Sequence, residues 1–146
     1  MFKSILVPFD GSKGAETALR KAAELCRALD DCKLTLLTVY RHHSMLEASI
    51  SMVRADEPGN LDDIMRGHAK LVAEHGKAIA TEAGCPNVRA FVKSGPTARM
   101  IVGFAKEHDN DLIVIGSRGL GSLENYLLGS VSHKVTGLSD RPVLVV

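Results

Sequence analysis

The chain has 146 residues, 45% of them hydrophobic and 24% charged, with a formal net charge of +1. That balance suits one globular domain spanning residues 1–146 with a sizeable core. A near-neutral charge gives no electrostatic footprint for nucleic acid or an anionic membrane surface, and 4% aromatic residues with no Trp leave no stacking platform for single strands.

No apolar run approaches the ~20 residues needed to span a bilayer. Lys3 is followed at once by a strand pattern and Asp10, which does not read as a signal peptide. The three cysteines, Cys26, Cys32 and Cys85, are odd in number and not closely paired, which argues against a disulfide framework. A reducing cytoplasm is the expected location.

Ile5–Leu6–Val7 is a short, continuously apolar run ending at Pro8–Phe9–Asp10. Such runs suit a strand buried on both faces of a parallel sheet. Ser12 is placed to cap a helix that carries Ala15, Ala18, Leu19, Ala22, Cys26 and Leu29 at helical spacing, which makes Cys26 a small core residue. Leu34 to Tyr40 reads as the second strand. Residues 41 to about 60 show no period and contain Pro58–Gly59, as lids and mobile segments do. Within them, His42–His43 read as an exposed pair, without partners at metal-ligand spacing.

Leu61, Ile64, Met65, His68, Val72, His75 and Ile79 predict a long amphipathic helix ending near Gly84–Cys85–Pro86. Asp62–Asp63 would sit at its start, where negative charge suits the dipole, and His68 and His75 at the edge of its apolar stripe, partly buried. Val88 to Val92 is the third strand. Gly95–Pro96 opens a helix with Pro at its first position and a core face of Ala98, Ile101, Val102 and Ala105. Leu112 to Ile115 is the fourth strand. Val131, Val135 and Leu138 mark a short last helix, and Pro142 to Val146 the fifth strand.

Strict alternation of strands and helices predicts an α/β fold. The expected architecture is a doubly wound five-stranded parallel sheet with helices on both faces, Rossmann-like or flavodoxin-like. Ligands of such folds bind beyond the carboxyl ends of the strands, where the winding reverses. That places Asp10, Val39 and the loop at Gly116 around one crevice.

This loop runs Gly116–Ser117–Arg118–Gly119, then nine residues, then Gly129–Ser130. Glycine suits a backbone that turns sharply or approaches a ligand closely, and successive N–H groups make an anion site. Gly129–Ser130 lies just before the last helix, whose start attracts phosphate. Ser130 and Ser132 add hydroxyls, and His133 either touches a phosphate or sits on the helix surface. No Lys stands beside Gly129, so this is not a P-loop, and Gly116, Gly119 and Gly121 do not match the dinucleotide fingerprint. From spacing alone the glycines fit turn residues as well as a phosphate cradle.

Across nearly its whole length the sequence resembles the universal stress proteins. The resemblance rests on Ile5–Leu6–Val7–Pro8–Phe9–Asp10–Gly11–Ser12, Gly95–Pro96, Asp111 to Gly119 and Arg141–Pro142–Val143–Leu144–Val145–Val146. The ATP-binding branch of that family carries G-x2-G-x9-G-[S/T], which Gly116, Gly119, Gly129 and Ser130 match in full.

The resemblance implies ATP as ligand, with Gly116, Arg118, Gly119, Gly129, Ser130, Val131 and Ser132 around phosphates and ribose. Asp10 would stand near the ribose or a metal-bound water, making it the candidate contact for Mg²⁺. Pro8 and Phe9 would line the adenine side, Phe9 either stacking on adenine or packing beside it, and Val39 would meet adenine through its backbone. Arg118 pairs with phosphate or with Glu124. The resemblance also implies a homodimer formed through the final strand, Val143 to Val146, an apolar edge that proteins cover or pair.

No catalytic constellation stands out, because phosphoryl transfer needs a positioned nucleophile and strong charge stabilisation. The expected role is a nucleotide-responsive switch that alters binding of a protein partner. The alternatives are a slow or partner-dependent ATPase, a dimeric interaction module with an empty site, and, more remotely, an FMN protein.

Overall fold

The computed structural model describes residues 1–41, 61–117 and 128–146. Through them the chain runs β1 (Ser4–Pro8), α1 (Lys13–Ala28), β2 (Lys33–Tyr40), α2 (Leu61–Glu82), β3 (Arg89–Ser94), α3 (Thr97–Glu107), β4 (Leu112–Ile115), α4 (Ser130–Leu138) and β5 (Val143–Val145). The strands form one parallel sheet in the order β3-β2-β1-β4-β5. Winding reverses between β1 and β4, so the crevice for a ligand opens at their carboxyl ends.

Strand period two explains the two cores. Ile5 and Val7 of β1, with Leu34 and Leu36 of β2, face α1 and α2. Leu6 of β1, with Leu37 and Val39 of β2, faces α3 and α4. β1 is buried on both sides, with Ile5, Leu6 and Val7 at 0% exposure, as its continuous apolar run requires. This is the expected doubly wound architecture.

Three local expectations need correction. Pro96 is the N-cap of α3 and Thr97 its first residue, one position later than expected. On α3 Phe104 is buried with Ala98, Ile101 and Ala105, while Val102 is only partly covered.

The largest difference is the buried face of α2, which is Ala69, Ala73, Gly76, Ile79 and Ala80. Ile64 is 60% exposed, and His68 and His75 are exposed rather than partly buried. The cause is close approach. A Cβ on Gly76 would lie 2.5 Å from Leu36 Cδ1 and 2.8 Å from Phe9 Cδ1, so only a stripe of small residues lets α2 settle on the sheet. A hydropathy stripe weights large residues and misses that. Of the segment expected to be irregular, only Arg41 is described; His42, His43 and Pro58–Gly59 lie outside the described residues.

Candidate nucleotide-binding crevice

β1 leaves the sheet at Phe9, whose N–H donates to the Leu37 carbonyl at 2.9 Å. Asp10 then bends the chain, its Oδ1 accepting from the Ser12 N–H at 2.9 Å, an Asx turn. Gly11 follows in the left-handed region at φ 83°. Ser12 caps α1 as expected, its hydroxyl accepting from the Ala15 N–H at 3.1 Å. Asp10 thereby stands exposed at the carboxyl end of β1.

Gly116 ends β4 across the crevice, buried against the first turn of α1. A Cβ there would come within 2.7 Å of the Gly14 carbonyl carbon and oxygen. Its close approach is therefore to α1, and its φ is not positive. Asp10 and Gly116 thus flank the start of one helix.

The two glycine elements of the motif meet through Ser117. Its N–H donates to the Val146 carbonyl at 2.8 Å, and its carbonyl accepts from the Gly129 N–H. The Ser132 hydroxyl donates to the same Ser117 carbonyl at 2.9 Å and to the Gly129 carbonyl at 3.0 Å. Ser132 is 2% exposed, so its hydroxyl proton clamps the loop and is not free for a phosphate. Ser130 is exposed, and Val131 is partly buried against the α3–α4 core. Gly129 is the N-cap of α4, and among the described residues no side chain caps this helix. The N–H groups of its first turn therefore point outward for an anion to take. His133 lies exposed one turn in. Arg118, Gly119 and Glu124 lie outside the described residues.

Pro8 and Phe9 separate by strand alternation. Pro8 shares the face of Leu6, toward α3 and α4. The Phe9 side chain is 2% exposed and packs in the core under α1 and α2, 6.3 Å between ring centroids from His75. That corrects the expectation that its ring lines the adenine side; only its backbone reaches the crevice, where its carbonyl accepts from the Thr38 hydroxyl at 2.9 Å. Val39 lies near the carboxyl end of β2. Backbone groups two residues apart in a strand point the same way. Those of Val39 therefore follow Leu37 toward the side from which β1 has departed.

Beside this crevice lies a cleft of about 530 Å³ between the starts of α3 and α4. Ser130 and Val131 line it, together with Arg41, Gly95, Pro96, Thr97, Arg99 and Lys134. Among the described residues its lining holds three cations and no carboxylate, a field that suits a polyanion. Sequence reasoning missed these cations. The available signals were that Arg41 directly follows β2 and that Lys134 lies one turn after Ser130. Asp10, Gly116, Pro8 and Val39 sit along the same edge of the sheet but outside the cleft lining. Among the described residues no cluster of His, Cys, Asp or Glu could hold a metal ion by itself. A divalent cation would need oxygen ligands from a phosphate, with Asp10 as the protein carboxylate. Among the described residues, no helix is long and apolar enough to cross a membrane.

A profile of the Universal stress protein family matches residues 1–146. The chain is 35% identical over 150 residues to the universal stress protein YxiE of Bacillus subtilis (strain 168), covering 100% of this chain and 99% of that protein. Its fold is similar to the solved structure of the hypothetical protein MJ0577, with TM-score 0.81, 31% identity and coverage of 100% and 96%. A universal stress protein solved in complex with cAMP shares the fold at TM-score 0.75 and 24% identity, with coverage of 99% and 97%.

Proposed function

The chain belongs to the universal stress protein family, and we propose that it is an ATP-binding member acting as a homodimeric, nucleotide-responsive switch in stress response. The observation that carries this reading is the start of α4. Among the described residues it has no side-chain cap, it is pinned to the end of β4 through Ser117, and it opens beside a cleft lined by Arg41, Arg99 and Lys134. A polyphosphate would replace the missing cap and meet both the helix dipole and the cations.

Adenine would lie toward Pro8 and the Val39 backbone. A neighbour of the same fold carries an adenine nucleotide, cAMP, which is compatible with that placement. Gly116, Arg118, Gly119, Gly129, Ser130, Val131 and, through its backbone N–H, Ser132 complete the phosphate and ribose side. Mg²⁺ would be held by phosphate oxygens and water with Asp10, an exposed residue whose Oδ1 is engaged by Ser12. No base is assigned beside this site, so the reading is a binding switch with slow hydrolysis at most.

Among the described residues β5 pairs with β4 alone, and Leu144 is 38% exposed. An unpaired apolar edge of this kind supports a second copy docking at Val143 to Val146. Domain extent over 1–146, cytoplasmic location and a protein partner belong to the same reading.

Calorimetric titration with MgATP tests it, with Gly129→Asp as the control. Gly129 has φ −63° and ψ 160°, which aspartate adopts without strain, and aspartate is a good N-cap. Its carboxylate would occupy the α4 N–H groups and repel phosphate. We expect binding by the wild-type protein, and at least tenfold weaker binding by a variant that melts no lower. Absence of binding to the wild type at millimolar MgATP would refute the reading.

A further inference from the structure

Cys26 and Cys32 converge with the distant Cys85 at the end of the sheet opposite the crevice. Cys26 lies in the last turns of α1, Cys32 immediately precedes β2, and Cys85 lies in the turn between α2 and β3. Cys26 is 7% exposed within the core, and Cys32 and Cys85 pack on it while remaining partly exposed. The Cys26 thiol donates to the Cys32 carbonyl at 2.9 Å. The Cys85 thiol contacts the Ala23 carbonyl at 3.6 Å, one turn before Cys26 on α1. All three are free thiols.

We propose that this cluster is a thiol–disulfide site, in which a peroxide oxidises one of the two partly exposed cysteines and Cys26 then closes an intramolecular disulfide with it. Here the central thiol is buried and each neighbour is reachable from solvent, which is the arrangement a two-step oxidation needs.

The order of steps follows from the electrostatics. Burial, then the hydrogen bond from Cys32, pushes the Cys26 thiol up to about 12. It stays protonated at neutral pH and is not the first nucleophile. Burial also raises Cys85, against the opposing charge of Arg27, whose side chain lies beside the turn at Gly84. The outer cysteine, as thiolate, attacks one peroxide oxygen. The O–O bond breaks, a sulfenic acid forms and the other oxygen leaves as water after protonation. The Cys26 sulfur then attacks the sulfenic sulfur as its thiol proton is lost. An S–S bond forms and the sulfenic oxygen leaves as the second water. In sum, two thiols and one peroxide give one disulfide and two waters, with sulfur oxidised and peroxide reduced. Because Cys26 must lose a proton, closure speeds up as pH rises.

The test is a thiol count. Reduced protein, freed of reductant, is treated with excess hydrogen peroxide at pH 8, then denatured and titrated with a chromogenic thiol reagent. The free thiols should fall from three to one, with dithiothreitol restoring three and the product running as a single chain without reductant. Peptide mapping should find Cys26 in the disulfide. Cys26→Ser should form no intramolecular disulfide. Should that variant fold poorly, the Cys32→Ser/Cys85→Ser double variant, altered only at partly exposed positions, should keep its remaining thiol free. Retention of three thiols, a Cys32–Cys85 link without Cys26, cross-linked chains or only irreversible acids would each overturn the proposal.

Discussion

Gly116 lies against Gly14 so closely that a Cβ at residue 116 would stand 2.7 Å from the Gly14 backbone. The end of β4 and the start of α1 therefore meet as bare backbone, one beside the other, and this contact sets the floor of the crevice. Both chain segments flank Asp10.

Gly116→Ala should destabilise the protein by about 1–3 kcal/mol, the usual cost of forcing a methyl group into packed backbone. The cost is steric rather than conformational, because φ at Gly116 is not positive. Urea unfolding of both proteins measures it, and an unchanged midpoint would mean that α1 can shift freely.

Phe9 separates packing from ligand contact. Its ring sits under α1 and α2, against Gly76. Phe9→Ala should cost about 3–5 kcal/mol, whereas Phe9→Leu should cost on the order of 1 kcal/mol. The leucine variant should bind MgATP within twofold of wild type. A tenfold loss of affinity at unchanged stability would return Phe9 to the adenine side.

Two serines of the motif should behave oppositely. Ser132→Ala removes the clamp on the Ser117 and Gly129 carbonyls. Both carbonyls keep a backbone partner, so the loss should be modest, about 0.5–1.5 kcal/mol, with MgATP binding retained. Ser130 is exposed, and Ser130→Ala should leave the melting temperature unchanged while weakening MgATP. Melting curves and calorimetry on the pair distinguish the roles, and identical behaviour of the two variants would contradict them.

Alkaline stability should report Cys26. Its thiol rises from an ordinary 9.0 to about 12 in the folded protein, mainly through burial. Between those values the unfolded chain ionises and the folded one does not. The stabilising difference is therefore complete below pH 9 and is lost as pH rises toward 12. Under reducing conditions the wild-type protein should lose stability above pH 9 more steeply than Cys26→Ser. Parallel pH profiles would contradict this.

The sequence made element type and the doubly wound architecture legible because each strand is short, apolar and separated from the next by a periodic helix. It was less informative wherever small residues govern packing. The buried stripe of α2, built on Ala69, Ala73 and Gly76, is invisible to a pattern that follows large side chains. The glycine motif located the end of β4 and the start of α4 correctly. Its spacing could not show that Gly116 serves α1, nor that the Ser132 hydroxyl serves the loop. Arg41, Arg99 and Lys134 come from three separate elements, so only the fold gathers them around one cleft. The cysteine trio was hidden for the same reason: Cys85 is distant from Cys26 and Cys32 in the chain.

The central claim is that phosphate occupies the uncapped start of α4, and amide nuclear magnetic resonance reads that place directly. Titration of ¹⁵N-labelled protein with MgATP should shift the N–H signals of Ser130, Val131 and Ser132 most, with Val39 following as adenine docks. Shifts that leave the α4 amides unmoved at saturating MgATP would contradict the account.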